Sequence, residues 1–104
     1  MLRIKSMKTI TTKKPINLKD GSTIHAGTVL TYVRHGDKPS QGVWLMDGME
    51  RRLSYRGVLK APSITTMEKW EGEGYCKSVF GDRTEMDGTG THGEPSWALA
   101  MGLV

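Results

Sequence analysis

Two of the three Asp-Gly dipeptides, Asp20-Gly21 and Asp47-Gly48, constrain this chain more than any other feature. Each stands between short, extended-looking runs, and Asp-Gly supplies the positive φ that a tight hairpin turn requires. The first joins Ile16–Leu18 to a run from Thr23 to Val33 that is rich in β-branched and large residues, which suit a pleated sheet. Ala26-Gly27 marks a turn or bulge inside that run, and Pro15 stands where a strand can begin. The second joins Val43–Met46 to Arg51–Tyr55, where Leu53 and Tyr55 share one face and Arg52, Ser54 and Arg56 the other. Between them, Arg34–Gly42 reads as a loop, because Gly36, Pro39, Ser40 and Gly42 are all turn formers. Val58-Leu59 reads as a further short strand ending at Pro62.

From Ser63 the pattern changes. Thr65 and Glu68 match a capping box, which predicts a helical turn or two through Met67–Trp70, ended by Gly72 and Gly74. Tyr75–Phe80 reads as a strand that turns at Gly81-Asp82 and pairs with Arg83–Met86. In the tail, the large Trp97, Leu99, Met101 and Leu103 alternate with the small Ala98, Ala100 and Gly102. Period two predicts a last strand; a short buried helix is the alternative, since alanine, leucine and methionine favour helix. The expected fold is mainly β. Residues 8–62 form an SH3-like small barrel or short-stranded roll, with at most one short helix. Residues 63–104 form a C-terminal β-rich extension packing on it as one compact domain, and residues 1–7 a disordered leader.

A length of 104 residues suits one domain. With 37% hydrophobic and 25% charged residues, compositional disorder is excluded. No apolar run approaches the roughly 18 residues of a membrane span, and no apolar segment follows the basic start MLRIKSMKTI, so no secretory signal is read there. A single cysteine, Cys76, excludes an internal disulfide and fits a reducing compartment. The expected location is therefore the cytoplasm, without membrane contact.

Charge is uneven. Residues 1–60 hold 12 Lys/Arg against 4 Asp/Glu, and residues 61–104 hold 3 against 7, giving +8 and −4. Such asymmetry points to a polyanion or acidic partner for the basic half, or to two halves that complement each other when packed. For DNA or RNA, the candidate residues are Arg34, Lys38, Arg51, Arg52, Arg56 and Lys60 on phosphates, supported by Lys13, Lys14 and Lys19. Tyr55, with Tyr32 and Trp44, would stack bases. That reading requires the arginines to converge on one face.

The densest chemistry lies in DGTGTHGEPSW, Asp87–Trp97. With Gly88 as the central glycine of a calcium loop, Glu85, Asp87 and Glu94 take ligand positions, but Arg83 stands where the first carboxylate belongs. His92-Gly93-Glu94 matches the H-x-E of zinc deaminases, yet their paired cysteines are missing. A metal-dependent enzyme would need Asp82, Glu85, Asp87, His92 and Glu94 to converge. Cys76 with His25, His35 or His92 carries no nucleophile signature, and Cys76 reads as a small core residue. No phosphate-binding glycine motif occurs. The sequence therefore leans away from an enzyme and gives no catalytic residue, metal or cofactor. Glu94 and Trp97 would instead mark a partner-binding edge, with core placement the competing reading of Trp97.

INLKDGSTIHAGT, with MDGTGTHGEPSWALAMGLV, resembles small bacteriophage and prophage proteins in which a short β-rich domain ends in a DG…G-x-PSW-x-L-x-x-GL tail. The matching residues are Asp87-Gly88, Gly93, Pro95-Ser96-Trp97, Leu99 and Gly102-Leu103. The resemblance covers the last third and one hairpin, and implies context rather than activity. Such an accessory protein binds a host or phage protein, or accompanies nucleic acid. The leading expectation is a non-enzymatic protein-binding module that modulates a host system. The alternative is a nucleic-acid-binding small barrel, and pairing through an open C-terminal strand would give a homodimer.

Overall fold

The structure, a computed structural model, describes residues 8–103; the expected leader at residues 1–7 lies outside them. Eight short strands alternate with turns: β1 (Thr9–Thr11), β2 (Ile16–Asn17), β3 (Thr23–Ile24), β4 (Val29–His35), β5 (Gln41–Met46), β6 (Met49–Ser54), β7 (Cys76–Lys77) and β8 (Arg83–Thr84). Three helices complete it: α1 (Tyr55–Val58), α2 (Ile64–Glu73) and α3 (Trp97–Ala100). The described residues are thus mainly β, with 35% in strands and bridges and 19% in helices, but with three short helices where at most one was expected.

The main sheet is antiparallel in the order β1-β4-β5-β6. Both Asp-Gly turns fall where the sequence places them. β2 and β3 pair around Asp20-Gly21, and β5 and β6 pair around Asp47-Gly48. In the second turn Asp47 and Gly48 both have positive φ, 52° and 77°, the backbone a two-residue turn between twisted strands demands. Register then fixes the faces. Tyr32 pairs with Trp44, and Trp44 with Arg51, so these three side chains leave the sheet on one side. Arg34 pairs with Val43, and Val43 with Arg52, on the other. A bulge between Tyr32 and Arg34 inserts Val33 and keeps both sets in place.

The core forms on the Tyr32 side. Leu30, Trp44 and Tyr55 are fully buried, with Tyr32, Leu53 and Ile24 nearly so. Tyr32 meets Trp44 and Phe80 edge-on, at ring-centroid distances of 5.1 and 4.9 Å, the arrangement that aromatic quadrupoles favour. Gly42 is the place where these rings come closest to backbone. A Cβ there would lie 2.9 Å from a Tyr55 ring carbon and 3.0 Å from both Trp44 Nε1 and a Tyr32 ring carbon. The same cluster takes in Met67, Cys76, Val79, Trp97, Ala98 and Ala100 from the last third of the chain.

The tail departs from its predicted strand. Ser96 caps α3 by accepting from Leu99 N at 3.1 Å, and the neighbours Trp97 and Ala98 are both buried. A strand would bury every second residue, so the large–small alternation was a packing pattern of a helical turn. Val58-Leu59 likewise ends α1, which Ser54 caps, and is no strand. α2 starts two residues earlier than the Thr65 box implied, because Ser63 accepts from Thr66 N at 3.2 Å. It passes through Gly72 and stops at Gly74, whose left-handed backbone closes the helix.

Candidate functional site: a groove between the β4–β5 loop and α3

The β4–β5 loop bends back on itself through Gly36 N–H to Gln41 O at 2.8 Å and Gln41 N–H to Lys38 O at 3.0 Å. Tyr55 N–H donates to Ser40 O at 3.0 Å, which ties this loop to the start of α1. α3 lies across from both. Between them runs a cavity of about 530 Å³ lined by Lys38, Pro39, Ser40, Ser54, Arg56, Leu99, Ala100, Met101 and Gly102. A second hollow, about 280 Å³, shares Pro39 and Leu99 with it and is lined by His35, Gly36, Asp37, Thr89, Gly93 and Pro95. The two make one groove. Leu99 and Met101 give it an apolar wall, and the exposed Lys38 and Arg56 stand at its rim. Neither cation has a carboxylate within ion-pair distance among the described residues, where the two ion pairs are Arg34–Glu50 and Arg52–Asp37.

The structure redistributes the residues proposed for nucleic acid. Lys38 and Arg56 meet on the groove. Arg34 and Arg52 sit on the face away from the core, each in an exposed ion pair, at 3.4 and 3.1 Å. Arg51 points the opposite way, since successive residues of a strand alternate, and its Nε is buried without a hydrogen-bond partner among the described residues. Lys60 is exposed beyond α1 and lines neither hollow. The arginines therefore do not converge. Nor can the aromatic residues stack bases. Tyr55 and Trp44 are fully buried and Tyr32 nearly so.

Burial also overturns the partner-binding edge at Glu94 and Trp97. Trp97 is a core side chain, and Glu94 has no exposed surface. Glu94 instead organises its own loop. Ser78 Oγ donates to Glu94 Oε2 at 2.6 Å, and His92 N–H donates to Oε1 at 2.8 Å. Ser78 Oγ in turn accepts from Phe80 N–H and Asp82 N–H. The Asp82 carboxylate accepts from Thr91 N–H at 2.9 Å and Thr91 Oγ1 at 2.8 Å. These bonds, the backbone one first, hold its pKa below the usual carboxylate value. Of the five groups that a metal-dependent enzyme would have needed, Asp82, His92 and Glu94 come together, without Glu85 and Asp87.

Sequence reasoning found Lys38 and Arg56 by charge alone. It missed Ser40, Ser54, Leu99 and Met101 as groove residues, because the groove is made by α3 packing beside a loop some sixty residues away, and nothing local signals that. No protein-family model, curated protein or solved structure matches the chain. No helix among the described residues is long and apolar enough to cross a membrane.

Proposed function

We propose that this protein is a non-enzymatic binding module, of the accessory kind that its tail resemblance implies, which seats a segment of a host or phage protein carrying both acidic and apolar side chains. The observation that carries this reading is the groove itself, in which Lys38 and Arg56 rim an apolar wall of Leu99 and Met101. Cations without an ion pair among the described residues, set beside apolar surface, suit a segment in which carboxylates alternate with leucine-like side chains, because charge steers and registers the encounter while apolar burial holds it. A nucleic acid is the weaker reading. The stacking aromatics are buried and the arginines are divided between two faces.

The test uses a fluorescent peptide of alternating glutamate and leucine, with labelled single-stranded DNA and RNA in parallel, at low and moderate salt. Peptide binding with amide shifts at Ser40, Leu99 and Met101, weakened about tenfold or about 1.4 kcal/mol by Lys38→Glu/Arg56→Glu, supports the groove. Peptide binding that ignores the charge reversal refutes it. Binding of the nucleic acids alone, lost in the same variant, replaces the protein partner with a polyanion.

A further inference from the structure

We propose that Asp82, His92 and Glu94 form a binding site for a divalent transition-metal ion of the zinc class. One ligating atom from each residue lies within 4.8 Å of the other two, close enough for a single ion to touch all three. Convergence alone would be a common surface event. The second observation is the state of Glu94. Its side chain is fully buried, a second carboxylate stands beside it, and the ion pairs among the described residues involve neither. A carboxylate out of water needs a partner charge, and a neighbouring carboxylate makes the need greater. No lysine or arginine among the described residues answers it, whereas a cation held between the two would.

The supporting bonds suit that purpose. Glu94 accepts one donor on each oxygen, and each oxygen keeps a lone pair. Asp82 Oδ2 is fixed by Thr91, and the Asp82 and Glu94 carboxyls lie within hydrogen-bond reach of each other. Thr91 Oγ1 spends its proton on Asp82, so the 3.3 Å approach of His92 Nδ1 makes Nδ1–H the donor there. In that tautomer Nε2 is the ring nitrogen without a proton, and a metal on Nδ1 would take the place of this contact. Phe80 meets the His92 ring edge-on at 6.1 Å and holds its plane. Gly90 forms the wall beside both carboxylates, and a Cβ there would run into Glu94 and lie 2.8 Å from Asp82 Oδ2. One imidazole and two carboxylates suit zinc and its neighbours, while calcium and magnesium favour all-oxygen shells. His92 and Asp82 are half-exposed, which leaves a route for the ion and room for a water as fourth ligand.

The test strips the full chain with a chelator and adds zinc, cobalt(II) or calcium. Thermal melting and the visible absorption of cobalt are read together. The proposal expects zinc to raise the melting temperature, calcium to leave it unchanged, and cobalt to give ligand-field bands of a low-coordinate site. His92→Ala keeps the backbone N–H on Glu94 and so tests the imidazole without removing that bond. It should weaken cobalt binding by more than the roughly 10–100-fold that losing a supporting contact costs. Glu94→Gln, which keeps the shape and one acceptor oxygen but replaces the other with a donor, should do the same. Absence of cobalt bands and of any zinc shift in the native chain would mean a carboxyl pair bridged by a proton alone, and would overturn the site. So would bands that survive in His92→Ala.

Discussion

Tyr32 and Tyr55 share a hydrogen bond of 2.7 Å between their hydroxyls, in the buried centre of the molecule. Tyr55 has no exposed surface and Tyr32 is 3% exposed, so neither hydroxyl has water to fall back on. Tyr55→Phe removes one oxygen and strands the other. Leaving a buried hydroxyl without a partner costs about 1–3 kcal/mol, and Tyr32→Phe should cost about the same. The double variant removes both polar atoms and keeps both rings. Replacing both partners with apolar groups of like shape is nearly neutral, so the double variant should be about as stable as either single one, or more so. The cycle should therefore give a coupling of at least about 1–3 kcal/mol, read from urea unfolding of the four proteins at one pH. Additive losses, within about 0.5 kcal/mol, would show that the two hydroxyls do not depend on each other, and the account of the core would fail.

The same pair predicts alkaline sensitivity. Burial first, and the mutual hydrogen bond for Tyr55, push both phenols above their usual pKa. Stability should hold below the unfolded value near 10 and then fall by up to about 1.4 kcal/mol per pH unit for each tyrosine; a flat profile from pH 9 to 11 in urea titrations would contradict this. Asp82 predicts the acid side. Its lowered pKa means stability present above about pH 4 and lost as pH falls through the folded value. Thr91→Val, which removes the hydroxyl donor, should shrink that loss in acid melts. Gly42→Ala, forced against three rings at 2.9–3.0 Å, should cost about 1–3 kcal/mol in chemical denaturation, and an unchanged midpoint would show that the rings yield.

What could be read from the sequence was what local chemistry dictates. Asp20-Gly21, Ala26-Gly27 and Asp47-Gly48 announce their turns because few other dipeptides accept that backbone. Gly81-Asp82 does the same between β7 and β8. The tail was misread because its alternation has the right period for a strand, and Ser96 as a cap looks like any serine until Leu99 N is seen to point at it. Arg51 and Arg52 show the limit of charge counting. Adjacent in sequence, they are divided by the pleat, one turned toward Trp44 and the other toward Asp37. Asp82, His92 and Glu94 were all visible as candidates. Their meeting depends on the fold of the loops from Ser78 to Ser96, where isolated bridges and side-chain bonds replace long ladders.

β6 forms one edge of the main sheet. It carries Glu50, Arg51 and Arg52 in its middle, and it ends at Ser54, where the chain turns directly into α1. A second sheet approaching this edge would have to strip water from Glu50 and Arg52 before gaining a few hydrogen bonds, and it would run out of strand after six residues. Charged, abruptly ended edges resist growth by strand addition. With the last segment coiled into α3, the open C-terminal strand expected to join two copies is not formed among the described residues, and a sheet that grew from β6 would meet like-patterned charge at its very first step.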